Sequence, residues 1–170
     1  MRGFSLIELM ITLVILGIIA AIAYPNYQQY VRESRRSDAQ RTLMQVSALE
    51  EKFFTECALG TARGYTDNLG GRIMPSSPGA GDGCSGLGFV AGGIVRSAPS
   101  LEGYYTIGIG AGAPCAAGAT LVNCYTATAA PVAGTTQAND GNFRLSSTGQ
   151  RQWDINKDST YSGRWTDKRS

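Results

Sequence analysis

A run of twenty-one residues, from Phe4 to Tyr24, is almost entirely apolar, and its only charged residue is Glu8. As a helix rising ~1.5 Å per residue the run would be about 31 Å long, which matches the hydrocarbon core of a bilayer. An ionised carboxylate in that core costs several kcal/mol unless a partner neutralises it. The run therefore predicts a membrane-spanning helix and raises the question of what pairs with Glu8.

The absence of histidine from the 170 residues removes the commonest general base and the commonest metal ligand. Ser-His and Cys-His catalysis are excluded, and no carboxylate pair or nucleophile stands in a recognisable catalytic motif. A formal net charge of +2 is too small to predict a nucleic-acid partner by itself. We therefore predict a protein that is not an enzyme and holds no cofactor. A membrane-anchored periplasmic enzyme is the less favoured alternative.

The four cysteines, Cys57, Cys84, Cys115 and Cys124, have no C-x-x-C spacing and are typical of two disulfides rather than of a zinc site. Three connectivities are possible, of which we favour nearest-neighbour pairing. Disulfides indicate an oxidising compartment. This indication outweighs the arginines that follow the apolar run, which by the positive-inside rule would keep the next domain in the cytoplasm.

The N-terminal sequence RGFSLIELMITLVILGIIAAIAYPNYQQYVRESRRSDAQ resembles the start of type IV prepilins. The shared features are a short basic leader ending in glycine, then a phenylalanine, and a glutamate four residues further on. The resemblance extends from Met1 to about Phe54, and YPNYQQYVRESRRSDAQ is most similar to PilE-like minor pilins. It implies that a prepilin peptidase cleaves between Gly3 and Phe4, that the Phe4 amine is N-methylated, and that subunits polymerise through their apolar helices.

The resemblance also implies a partner for Glu8. After cleavage, the Phe4 amine and the Glu8 carboxylate are four positions apart on one helix face. In a filament, Glu8 would accept the Phe4 amine of a neighbouring subunit, and the cost of an unpaired buried charge would enforce the stagger between subunits. Gly17 and Pro25, both unfavourable in a helix, would bracket a stretch that loses helicity in the filament.

The function implied by the resemblance is that of a structural subunit of a type IV pilus, with a minor pilin favoured. It would serve pilus assembly, twitching motility, adhesion or DNA uptake. Its partners would be other pilin subunits, the prepilin peptidase, the inner membrane and the pilus assembly platform. The precursor would cross the inner membrane once with a periplasmic head, and the mature subunit would lie in a surface filament. A pseudopilin of a type II secretion system is the alternative, which a calcium requirement would favour.

The predicted fold is α+β, a long N-terminal helix packed on an antiparallel meander of about four strands. Apolar residues of the second half of the helix recur at helical spacing and predict its buried face: Ala39, Leu43, Val46, Leu49, Phe53 and Cys57. We interpret the charges of RESRRSDAQR as a solvated or intersubunit face. The predicted segments are a leader (1–3), a transmembrane half-helix (4–25) and a head (26–170), the head comprising an amphipathic helix (26–56), a loop (57–102) and a sheet with a tail (103–170).

The C-terminal tail contains two patterns that suggest ligands. DINKDS gives Asp154, Asn156 and Asp158 the 1, 3, 5 spacing of a calcium loop, but a serine replaces the required glycine and Trp165 replaces the bidentate glutamate, so we predict a solvated turn and no metal site. Basic and aromatic residues offer a weaker indication of a DNA surface, against which we favour packed tryptophans and solvated charges: Arg151, Trp153, Lys157, Arg164, Trp165, Lys168 and Arg169.

Overall fold

A computed structural model of the chain describes residues 5–57, 64–71, 84–115 and 120–167. The chain divides into two compact units, 1–34 and 35–170. Within these described ranges, one helix and five strands make up the α+β fold: α1 (Leu6–Glu56), β1 (Ser97–Pro99), β2 (Tyr105–Gly110), β3 (Thr126–Pro131), β4 (Phe143–Ser146) and β5 (Arg151–Trp153).

The first unit consists, in its described part, of the N-terminal half of α1 with its apolar side chains exposed. Even Ile15, the least exposed large apolar residue between Leu6 and Ile22, keeps 51% of its surface accessible. By length and composition, α1 is able to cross a membrane. Gly17 and Pro25 both lie inside the continuous helix, so the loss of helicity expected in a filament stays a prediction.

The second unit contains a five-stranded antiparallel sheet in the order β1-β2-β3-β4-β5. The sheet is thus a meander, as predicted, with one strand more than the four expected. The additional strand, β1, lies within residues 57–102, which sequence analysis assigned to a loop. It is a three-residue edge strand that contains Pro99. Such a strand is too short to show a period of two, and an edge tolerates a proline that a central strand does not.

The core of the second unit lies between the sheet and α1. Side chains at alternate strand positions face the same side of a sheet, and one side carries Ile107, Ala129 and Phe143, each fully buried. The predicted helix stripe packs against them. This prediction is confirmed for Ala39, Leu43, Val46, Phe53 and Cys57, which are at most 2% exposed, while Leu49 is partly buried.

Two disulfides connect the elements of this unit. Cys57, directly after α1, is bonded to Cys84 with a Cα–Cα distance of 5.8 Å. Cys115, in the turn after β2, is bonded to Cys124, two residues before β3, with a Cα–Cα distance of 6.0 Å. The first bridge closes 27 residues of chain, and a crosslink of that length removes roughly 3 kcal/mol of chain entropy from the unfolded state.

Candidate functional sites

The predicted polymerisation segment presents an unusual surface. Between Ser5 and Val31 the only charged residue is Glu8, which is exposed in the first turn of α1 among exposed apolar side chains. Gly3 and Phe4, the predicted cleavage and methylation site, lie outside the described residues. The described segment therefore has a large apolar surface and one carboxylate, both of which require partners outside the unit itself.

A buried ion pair fixes the helix of the second unit to the sheet. The Arg36 guanidinium donates from Nε and a terminal nitrogen to Asp140, at 2.6 to 2.9 Å. Asp140 also accepts hydrogen bonds from Tyr105 Oη at 2.7 Å and from Gln137 Nε2 at 2.7 Å. Burial, together with the Asp140 carboxylate, raises the pKa of Tyr105, so the phenol remains a donor.

The interpretation of RESRRSDAQR as a solvated or intersubunit face is wrong for two of its charges. The Arg36 side chain is 15% exposed and lies 4.4 Å from the Trp153 ring centroid. Asp38 is 2% exposed and accepts hydrogen bonds from Ser100 Oγ and from the Glu102 amide at 3.1 Å. These two charged side chains form contacts between the helix and the sheet side of the unit instead of facing solvent.

Glu50 is the one fully buried carboxylate whose charge is poorly compensated among the described residues. It is 0% exposed, Oε2 accepts only the Thr66 amide at 3.2 Å, and Oε1 has no described partner. Burial raises its pKa to about 8, with smaller contributions in the same direction from Glu51 and Asp67. At neutral pH, Glu50 is therefore mostly protonated.

The stretch with calcium-loop spacing forms a self-contained turn. Asp154 is 2% exposed, and its two carboxylate oxygens accept the amides of Asp158 at 3.0 Å and Ser159 at 3.2 Å. Lys157 and Ser159 have left-handed backbones, with φ of 58° and 63°. The Asp154 carboxylate thus serves the backbone of its own loop, and the described part of the chain brings no three acidic or cysteine side chains together as a metal site.

Of the tryptophans considered for a DNA surface, Trp153 is not available. It is 0% exposed and stacks on Phe143, with ring centroids 5.3 Å apart. Trp165 is partly buried, and the Arg151 guanidinium lies 5.5 Å from its ring centroid. Three exposed cations remain in the described part of this region, Arg151, Lys157 and Arg164, while Lys168 and Arg169 lie outside it.

Comparisons with known proteins agree with this geometry. Residues 1–24 match a family model described as the prokaryotic N-terminal methylation motif. Residues 25–80 match a second model, described as type IV minor pilin ComP, DNA uptake sequence receptor. The two matches make residues 1–80 similar to type IV pilins. The apolar helix fits a membrane-anchored precursor and a filament subunit.

Three relatives illustrate the extent of the similarity. The type IV major fimbrial protein FimA of Dichelobacter nodosus is 40% identical over 82 residues, 45% of this chain and 50% of FimA. The type IV major pilin protein PilA of Myxococcus xanthus is 46% identical over 55 residues, 32% of this chain and 25% of PilA. The fimbrial protein EcpC of Eikenella corrodens is 60% identical over 38 residues, 22% of this chain and 25% of EcpC. The chain thus spans a quarter to a half of the length of these relatives.

Proposed function

We propose that the chain is a minor subunit of a type IV pilus, cleaved between Gly3 and Phe4, methylated on the new Phe4 amine, and built into the filament through residues 4–25. The observation that carries the proposal is the exposed apolar half-helix with Glu8 as its single charge. The match of residues 1–24 to a methylation motif supports processing at this site.

The physical reason for polymerisation is the free energy of the exposed apolar surface. Each large aliphatic side chain gains ~1.5–3 kcal/mol on leaving water, so the half-helix is stable in a bilayer or among copies of itself. In a bilayer, the ionised Glu8 carboxylate has no partner and is energetically costly. In a filament, a neighbouring subunit supplies the Phe4 amine as its partner. A slip of one turn, ~5.4 Å, would leave the carboxylate without a partner in an apolar core. The pair therefore selects one stagger between subunits.

Blocking the cleavage tests the proposal. In Gly3→Ser we expect a stable membrane protein that keeps Met1 and never enters filaments, as measured by quantifying sheared surface filaments and sequencing the subunit's N-terminus. Gly93→Ser is the matched control, because a Cβ at Gly93 meets nothing within 4 Å, and it should polymerise normally. Wild-type filament levels of Gly3→Ser would refute the processing step. A correctly cleaved wild-type chain that never appears in sheared filaments would favour a secretion pseudopilin instead.

DNA uptake is a second candidate role. The match of residues 25–80 to a model named for a DNA uptake sequence receptor favours it, and Arg151, Lys157 and Arg164 provide exposed positive charge. A protein that contacts DNA phosphates loses affinity as salt rises, with a logarithmic slope that falls by about one for each contacting cation removed.

The salt dependence of DNA binding tests this role. For the full chain in detergent micelles, the double variant Arg151→Gln and Arg164→Gln should bind duplex DNA more weakly and with a slope reduced by about two. Arg96→Gln is the control, because Arg96 already pairs with Asp67 at 2.7 Å. Equal slopes for the wild type and the double variant would show that this surface does not bind DNA.

A further inference from the structure

The face of the sheet that points away from α1 contains a groove of about 410 Å³. Its lining comes from glycines of β2 and the turn that follows, from threonines of β3, from Arg144 and Tyr161, and from the apolar residues Ile109, Ala111 and Ala113. The volume lies within the range typical of small-molecule sites, ~300–1,000 Å³. The groove belongs entirely to the second unit and has no part in the polymerisation surface described above.

The floor of the groove consists of glycines at positions where the fold would accommodate a side chain. Gly108, Gly110 and Gly112 recur at every second residue, and Gly108 and Gly110 lie on the face opposite to the buried Ile107. A Cβ at Gly110 or Gly112 would meet nothing within 4 Å, and one at Gly108 only a carbonyl oxygen at 3.7 Å. None of the three has a positive φ. Neither packing nor backbone conformation requires glycine here, and the result is a bare backbone surface.

The sheet register places a charged group beside this floor. Gly108 is paired with Thr128, Thr128 with Arg144, and Arg144 with Gln152, so these residues form one row across β2 to β5. Along this row, the guanidinium of Arg144 is followed by the hydroxyl of Thr128 and then by the open space above Gly108. The edge strand β1 lies beyond Gly108.

The Arg144 side chain is held in place and forms no ion pair with a described carboxylate. Its guanidinium stacks on Tyr161 at 3.7 Å from the ring centroid, and Nε donates to Gln152 Oε1 at 2.8 Å. Among the described residues, its two terminal nitrogens have no hydrogen-bond acceptor. Burial lowers the pKa of the guanidinium, while Tyr161 and Asp154 act on it in the opposite direction. Tyr161 itself adopts a left-handed backbone with φ of 50°, which is strained for a bulky residue.

The chemistry of the lining restricts what the groove accommodates. The lining includes one cation, hydroxyls from Thr126, Thr128 and Tyr161, and no carboxylate. The planar guanidinium fork matches a carboxylate in a two-hydrogen-bond arrangement, and a single positive charge balances a monoanion. Because β2 and β3 each have sheet neighbours on both sides, their backbones offer no free edge to an added peptide strand. Duplex DNA requires several phosphate contacts, which one arginine does not provide.

We propose that this groove binds a sugar unit that carries a carboxylate, with the carboxylate on the terminal nitrogens of Arg144, the hydroxyls near Thr128 and the ring over Gly108 and Gly110. The site does not depend on cleavage or polymerisation, so it stands or falls separately from the pilus function. It would give the subunit affinity for acidic polysaccharide.

An NMR titration of the isotope-labelled full chain in detergent micelles, with glucuronate as the probe, tests the proposal. We expect saturable shifts of the Gly108 and Gly110 amides and an affinity for glucuronate at least ~10-fold above that for glucose, since a hydrogen bond to a charged group contributes ~1.5–3 kcal/mol. Arg144→Gln should lose at least ~10-fold in affinity for the same reason. Gly110→Val, which fills the floor with a residue favoured in strands, should abolish binding. Arg151→Gln, a cation on the neighbouring strand outside the groove lining, should leave the affinity unchanged.

Four outcomes would overturn the proposal. The first is an identical set of shifts from glucuronate and glucose, and the second is tighter binding of inorganic phosphate than of glucuronate. The third is wild-type binding by Gly110→Val with an intact spectrum elsewhere. The fourth is an Arg144-dependent shift of the two glycines by a short single-stranded oligonucleotide but not by glucuronate, which would make the groove a nucleic-acid site.

Discussion

At the scale of single residues, the buried carboxylates of the second unit fall into two groups. Asp38, Asp140 and Asp154 each accept two or more hydrogen bonds from described donors. Glu50 accepts one. Position 50 lies four residues after Val46 on the buried side of the helix, but the predicted stripe did not include it, and nothing in the sequence identified its partner. Thr66 lies 16 residues away along the chain, so only the folded loop reveals the contact.

Glu50 should make the stability of the head depend on pH. Its pKa is 4.5 in the unfolded chain and about 8 in the folded one, so the folded chain holds the extra proton between these values. The stability associated with the protonated form is fully present below pH 4.5 and is lost as the pH rises through 8. Each pKa unit corresponds to ~1.4 kcal/mol, so the loss is on the order of a few kcal/mol.

The variant Glu50→Gln, which resembles the protonated acid, should abolish most of this dependence. Thermal unfolding followed between about pH 5 and about pH 9 should give a smaller decline in stability for the variant than for the wild type. Glu102→Gln is the control, because Glu102 is exposed and does not contribute to the pKa of Glu50, and it should decline like the wild type. Parallel curves for Glu50→Gln and the wild type would show that the carboxyl does not take up a proton on folding.

At the scale of elements, the buried face of α1 follows from periodicity, whereas its contacts with the sheet do not. Apolar spacing of three and four predicted this face, and the segment assigned to the sheet and tail, 103–170, contains β2 to β5. Arg36 lies three residues before Ala39 and is therefore on the same helix face. Because a charged residue is not expected in a buried face, sequence analysis did not include it. Its partner Asp140 is 104 residues away, and local patterns contain no information at that separation. β1 is too short for any pattern to identify.

The Arg36–Asp140 contact should contribute strongly to the attachment of helix to sheet. Removing one member of a buried pair leaves an uncompensated charge and costs ~3–5 kcal/mol, so Asp140→Ala should lower the unfolding free energy by about this amount. Asn139→Ala, at the exposed neighbouring position, should change it by less than ~1 kcal/mol. Chemical denaturation followed by tryptophan fluorescence is suitable because Trp153 lies beside Arg36. A loss below ~1 kcal/mol for Asp140→Ala would place this ion pair among the weak surface pairs.

At the scale of the whole molecule, the sequence predicts most about a segment whose surroundings are all of one kind, such as an apolar bilayer or filament core. The N-terminal half-helix needs only length, apolarity and one charge to be recognised. The groove on the outer sheet face was not predicted, because it depends on register between four strands and on the position of Tyr161, which a tail without regular structure supplies. The alternating glycines of β2 were the available signal, and sequence analysis did not single them out.

The single charge of the half-helix should decide assembly rather than insertion. In Glu8→Ala we expect normal membrane insertion and a folded, disulfide-bonded head, but at least ~10-fold less subunit in sheared filaments, since one unpaired charge costs more than 1.4 kcal/mol in an apolar core. Glu33→Ala, outside the apolar run, should assemble like the wild type. Quantitative immunoblotting of membranes and sheared material measures both. Normal incorporation of Glu8→Ala would remove the charge pair from the assembly mechanism.

Because the strands lie in the sheet in their order along the chain, each connection joins only neighbours. A loop in such a sheet can lengthen, shorten or change its composition at a small entropic cost, and the pairing of the other strands stays as it was. Changes of sequence would therefore be absorbed one hairpin at a time, while the hydrophobic core beneath keeps its alignment.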